Sequence, residues 1–177
     1  MTVFPQPPPP AKIFAGVITA ETELLPDIRT RLEAEFGAID IESPVLPFEL
    51  GQTYYGPEMG AGLRKKFYGF ARPAVETDVA DAKIKTVVLE DLWRRTDGTR
   101  RVNLDPGCVS AAKVILPTTK NYTHRIYLKD GIFAEVTLGF VRGKWEFYPY
   151  TYPDFKTKEY LDFFTIMRKM LMDAARG

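Results

Sequence analysis

The sequence predicts an α+β fold on a mainly antiparallel sheet, in the βαββαβ order of a ferredoxin-like unit, extended by C-terminal hairpins and a closing helix. Three observations predict it. Short runs rich in β-branched and aromatic residues alternate with two stretches of helical apolar spacing. An Asp-Gly pair stands between two extended segments in the C-terminal half, and a broad apolar stripe of helical period closes the chain.

Lys12 to Thr19 (KIFAGVIT) reads as the first strand. Glu21 to Phe36 places Leu24, Leu25, Ile28, Leu32 and Phe36 at helical spacing, with Pro26 suited to a first turn and Gly37 to a stop. Ile39 to Leu50 carries alternating apolar residues but is interrupted by Pro44 and Pro47, so an edge or bulged strand is expected. A Gly-containing loop and a strand over Leu63 to Ala71 follow. Val79 to Arg95 presents Ile84, Val87, Val88, Leu92 and Trp93 as a helical stripe, and Val102 to Leu104 and Lys113 to Leu116 supply further extended segments. The closing helix runs from Thr157 to Ala175 and turns Tyr160, Phe163, Phe164, Met167, Met170, Leu171 and Ala174 to the sheet.

The start, MTVFPQPPPP, has neither the basic residues nor the unbroken apolar stretch of a signal peptide, and its prolines favour an extended conformation. Residues 1–10 read as a disordered proline-rich tail and 11–177 as one globular domain. Hydrophobic residues at 45% and charged residues at 27% suit a domain whose core needs no metal or disulfide. Lys plus Arg number 24 against 23 Asp plus Glu, so no global field draws in nucleic acid or an anionic membrane. One cysteine, Cys108, and one histidine, His124, exclude an intramolecular disulfide, a paired-histidine centre and a structural zinc site within one chain. A reducing cytoplasm suits this usage. Neither GxxxxGK[ST] nor GxGxxG occurs, which removes the signatures of a P-loop GTPase and of a Rossmann dinucleotide fold.

In HRIYLKDGIFAEVTL, Asp130 and Gly131 signal a two-residue type I′ hairpin. Pairing Lys129 with Ile132 sets Ile126 opposite Glu135 and His124 opposite Thr137, so His124, Glu135 and Thr137 share one face. A second turn at Arg142 and Gly143 would set Thr137 opposite Tyr148 and Glu135 opposite Tyr150. Val136, Leu138, Phe140, Trp145 and Phe147 then form the opposite, core-facing side. Glu135 within an apolar run needs a hydrogen bond, a cation or a raised pKa, and reads either as a structural ion pair or as a chemical group with His124 as acid or base.

TTKNYTHR supplies Lys120, Asn121, His124 and Arg125, enough donors for a phosphate or carboxylate. In RRVNLDPG, Asn103 and Asp105 precede Pro106 and Gly107, which reads as a capped turn or as a ligand or divalent-ion contact. In YYGPEMGAGLRKK, Tyr55 and Glu58 precede Arg64, Lys65 and Lys66, an anion-binding loop or an ordinary turn. WEFYPYTYPDF concentrates aromatics, with Tyr148, Tyr150 and Tyr152 as candidate ligand contacts and Asp154 as a helix cap.

KIFAGVIT, YYGPEMG, RRVNLDPG, TTKNYTHRIYLKDGIFAEVTL and YTYPDF together resemble the domain-of-unknown-function 4416 family, over nearly everything after the proline tail. Cys108 departs from that pattern, standing where an aromatic commonly follows NLDPG. The resemblance implies a stand-alone prokaryotic cytoplasmic protein and carries no established activity, cofactor or catalytic residue.

The leading functional expectation is a site for a phosphorylated or nucleotide-like small molecule, with catalysis left open. Arg64, Lys65, Lys120 and Arg125 would hold the anionic group; Glu58, Asp105 and Glu135 would serve a magnesium-like ion or proton transfer. The alternatives are a single-stranded nucleic-acid module stacking bases on Tyr148, Tyr150 and Tyr152, and an oligomeric scaffold.

Overall fold

The computed structural model of the protein describes residues 4–176. Its elements are β1 (Pro10–Thr19), α1 (Leu25–Phe36), β2 (Ile39–Glu42), β3 (Leu46–Pro47), α2 (Gln52–Met59), β4 (Arg64–Val75) and α3 (Val79–Glu90). The second half adds β5 (Val102–Ser110), β6 (Lys113–Thr118), β7 (Ile126–Lys129), β8 (Ile132–Val141), β9 (Lys144–Phe147) and α4 (Lys158–Ala174). Among the described residues nine strands form one antiparallel sheet in the order β2-β4-β1-β5-β6-β8-β7, with β3 beside β4 and β9 beside β8. The fold class is thus α+β with an antiparallel sheet. Residues 4–9 carry no regular secondary structure, whereas Pro10, read as tail, opens β1 opposite Val75; residues 1–3 of the expected tail lie outside the described residues.

Both sheet faces are covered. Odd residues of β1 (Ile13, Ala15, Val17) pack with Ile28, Leu32 and Phe36 of α1 and with Val79 and Ala82 of α3. On the opposite face, Phe14 and Phe67 meet Phe163, Phe164 and Met167 of α4, Phe67 lying 5.2 Å from Phe163 in a stacked pair. This is period-two strand alternation read against period-3.6 helices. Gly37 ends α1 at φ +94°, a backbone region that favours glycine.

Four expectations need correction. The Gly-containing loop after Phe48 holds α2, despite Gly56 and Pro57 inside it. Gln52 closes that segment, donating to Gly60 O at 2.8 Å and accepting Leu63 N–H at 3.3 Å, while Met59 joins a small core with Ile18, Phe48 and Leu63. In α3 the expected stripe splits: Val88 at 65% and Leu92 just beyond the helix at 57% exposure face outward, whereas Trp93 is buried in the core as expected. The buried side is Val79, Ala80, Ala82, Thr86 and Glu90, among which the alanines let the helix approach β5 closely. RRVNLDPG is strand, not turn, since Asn103 to Gly107 lie inside β5 and pair with β1 from Asn103↔Ile18 to Gly107↔Phe14.

The fourth concerns the hairpin register. Asp130 and Gly131 adopt the positive φ of the expected turn (49° and 77°) and Lys129 pairs with Ile132, but an irregularity between Tyr127 and Lys129 sets Ile126 opposite Ala134 rather than Glu135. His124 precedes β7 in a turn closed by Arg125 N–H on Tyr122 O at 3.0 Å. Lys144 pairs with Val141 as expected, but β9 ends at Phe147, which is exposed, so Tyr148 and Tyr150 leave the ladder. A shift between Val114 and Ile115 changes the face: Leu138 joins the α4 core rather than standing opposite Glu135.

Candidate functional site

The site begins as a gap in the sheet. The β5–β6 ladder is limited to Cys108↔Ile115 and Val109↔Val114, and beyond it the strands part. Pro106 on β5 and Pro117 on β6 lack the N–H a ladder needs there. Leu104, freed from β6, gives its N–H to Glu90 Oε1 at 2.7 Å and accepts Lys83 Nζ on its carbonyl at 3.0 Å, so two side chains of α3 complete its backbone pairing. By the strand's period of two, the Pro106 nitrogen points to this same unpaired edge, which is why a proline is tolerated in a central strand. Gly107 sits at the fork, where a Cβ would meet Phe14 Cζ at 2.5 Å and Ile115 O at 2.8 Å.

A cleft of about 600 Å³ opens at this fork, walled by Tyr54 and Tyr55 of α2, by Phe48, and by Leu116 and Pro117 of β6. Lys65 on β4 is buried and points its ammonium at four rings, Phe48, Phe67, Phe155 and Tyr160, at 4.8 to 5.3 Å, with Asp154 Oδ2 at 3.1 Å. Asp154 is therefore an ion-pair partner in the wall; its side chain makes no cap for α4, whose N-terminus follows Thr157. Asn103 and Asp105 face the cleft from β5. Arg100 donates to Asn103 Oδ1 at 2.9 Å, which fixes the amide orientation and leaves the buried Nδ2 without a partner. Burial raises the Tyr55 phenol far above its ordinary pKa, so it stays a neutral donor.

Glu135 closes the far wall. It is 4% exposed; Arg125 Nε donates to its Oε2 at 2.8 Å, His124 Nε2 lies 3.1 Å from the same oxygen, and Thr137 Oγ1 donates to Oε1 at 3.4 Å. The contact between His124 and Glu135 thus forms through the turn before β7 instead of the expected cross-strand pairing. Tyr150 stacks on the His124 ring at 3.9 Å and 8°, and Tyr148 stacks on Tyr150 at 5.4 Å and 6°, locking the imidazole. Those two tyrosines have each committed a face, so a base-stacking platform of three free rings does not form. Arg125 also donates to Lys120 O and to the Tyr152 hydroxyl at 3.0 and 3.2 Å.

The structure brings together Tyr55, Lys65, Asn103, Asp105, Lys120, Arg125 and Glu135 at the cleft. His124, Thr137 and Tyr150 stand behind Glu135. Glu58, Arg64 and Asn121 do not line it. Glu58 is taken by Arg100, whose Nη2 reaches Oε2 at 2.7 Å, and this hydrogen-bonded pairing lowers the Glu58 pKa. The expected magnesium-like set of Glu58, Asp105 and Glu135 is therefore not assembled: each carboxylate has its own basic partner, and no group of three His, Cys, Asp or Glu suited to a metal occurs among the described residues.

Sequence reading missed Phe48, Lys83, Arg100 and the wall role of Asp154. Lys83, Thr86 and Glu90 form a polar line at helical spacing along α3, a signal that a polar feature faces that helix. Arg100 carries no such signal, because its role depends on α2, where Gly56 and Pro57 argue locally for a loop.

Residues 9–171 match the family model described as Domain of unknown function (DUF4416), and the chain belongs to that family. A search of curated proteins and a search of solved structures each found no match. No helix among the described residues is long and apolar enough to cross a membrane.

Proposed function

We propose that this chain is a cytoplasmic prokaryotic protein that binds a phosphorylated or nucleotide-like small molecule in the cleft at the fork between β5 and β6. One observation carries the reading: polar and aromatic side chains from α2, β4, β5, the β6–β7 loop and β8 meet around one cleft of about 600 Å³. Convergence of groups so distant in sequence, in a concavity of small-molecule size, is the usual geometry of a ligand site. The lone, fully buried Cys108 supports a reducing compartment. The β2-β4-β1-β5 order, with α1 and α3 on one face, supports a ferredoxin-like core beneath the site.

Within that reading Glu135 is the wall group placed to exchange a proton with a histidine, because His124 Nε2 lies 3.1 Å from its Oε2. Arg125 orients the carboxylate, and the Tyr150 stack orients the imidazole. The reading is tested by thermal-shift measurements against a panel of nucleotides and sugar phosphates, with Tyr55→Leu as control. At least one compound should raise the wild-type melting temperature and raise that of the variant less. A panel that shifts neither protein contradicts the proposal.

A further inference from the structure

The charges around the cleft differ in whether they are already neutralised. Lys65 has Asp154 at 3.1 Å, Lys83 has Asp105 at 3.5 Å, Arg100 has Glu58 at 2.7 Å and Arg125 has Glu135 at 2.8 Å. An anion seated against any of these would stand within a few ångströms of a carboxylate, where repulsion offsets the attraction. Lys120 is different. It lies at the exposed lip, has no carboxylate partner among the described residues, and donates to the Tyr54 hydroxyl at 2.7 Å. Further in, the walls are Phe48, Tyr55, Pro106, Leu116 and Pro117, an environment for an uncharged body.

We propose, resting on the small-molecule reading above, that the cleft takes a phosphomonoester in one orientation: uncharged ring inward between Tyr55 and Leu116, phosphate outward on Lys120. The ring bears a carbonyl oxygen, because the Asn103 amide nitrogen is a buried donor in need of an acceptor. Nδ2 is covered in the present arrangement, so the carbonyl reaches it after a small shift of the side chain or its cover. The charge distribution carries the orientation, and Asn103 gives a separate check on the ring.

The test is isothermal titration calorimetry with uridine 5′-monophosphate, uridine and inorganic phosphate, on the wild type, Lys120→Gln, Lys83→Gln and Asn103→Leu. The monophosphate should bind at least about tenfold more tightly than either fragment. Lys120→Gln should reduce it to the level of uridine while leaving uridine unchanged, and Lys83→Gln should leave the gap between monophosphate and uridine intact. Asn103→Leu should weaken monophosphate and uridine alike; because it also removes the oxygen that accepts from Arg100, the melting temperature of the free variant is measured beside it to confirm that the protein titrated is folded. Loss of the phosphate increment in Lys83→Gln but not in Lys120→Gln would put the phosphate inside and overturn the orientation while sparing the small-molecule reading. Inorganic phosphate matching the monophosphate, or indifference to Asn103→Leu, would overturn the ring assignment. No binding by any of the three, together with no shift from the wider panel, would remove both readings.

Discussion

Glu135 shows how far a single residue could be read from sequence and where reading stopped. A carboxylate inside IFAEVTLGF had to find a partner, and Arg125 and His124 are the partners it found. The route was illegible, because a bulge at the start of the hairpin shifts the pairing by one residue and the histidine reaches Glu135 from a turn. Glu135→Gln should leave Arg125 without its countercharge and destabilise the protein by about 3 kcal/mol, read by urea denaturation; a change below about 0.5 kcal/mol would show the pair to be dispensable. Glu90 offers a pH test of opposite character. Burial raises its pKa above the ordinary 4.5, against the lowering effect of the Leu104 amide. A raised carboxylate contributes stability that is present below its unfolded pKa and lost as pH rises through its folded pKa. Glu90→Gln, whose amide oxygen still accepts from Leu104, should therefore gain melting temperature relative to wild type as pH rises above the ordinary 4.5. A difference that stays constant with pH would contradict this.

At the scale of elements, legibility followed local signals. β1, α1, β6 and the Asp130–Gly131 hairpin were readable from alternation, helical spacing and turn chemistry. Alpha2 was not, because Gly56 and Pro57 argue locally for a loop and the interactions that hold it, Gln52 across to Gly60 and Leu63 and Glu58 to Arg100, are non-local. The buried face of α3 was misassigned for a related reason: Ala80, Ala82 and Thr86 give a weak apolar signal beside Val87, Val88 and Leu92, yet the small residues are those that allow close approach to β5. Pro106 and Gly107 read as a turn when they mark the fork where β5 leaves β6. Gly107→Ala tests that fork. Its methyl would meet Phe14, the Ile115 carbonyl and Leu116 Cδ2 at 2.5 to 2.8 Å, so a loss of about 1–3 kcal/mol is expected. A variant as stable as wild type in chemical denaturation would mean that the strands can part further without strain.

For the whole molecule, a formal net charge of +1 directs attention to local arrangement rather than to a global field. Composition could exclude a P-loop and a multi-histidine centre, and motif reading could nominate residues, but which nominees meet is a property of the sheet. Lys65 and Asp105 line one cleft because β4 and β5 flank β1, while Glu58 and Arg64, near neighbours of Lys65 in sequence, fall outside it. Both sheet faces are filled, so the gap between β5 and β6 is where the fold leaves polar groups around open space. The most direct measurement is amide chemical-shift mapping by NMR, with the compound that most raises the melting temperature titrated into labelled protein. Shifts concentrated at Tyr55, Lys65, Asn103, Asp105, Lys120 and Glu135 are the result this account predicts. Shifts confined to the outer face of α3 around Val88 and Leu92, with the cleft residues unmoved, would contradict it.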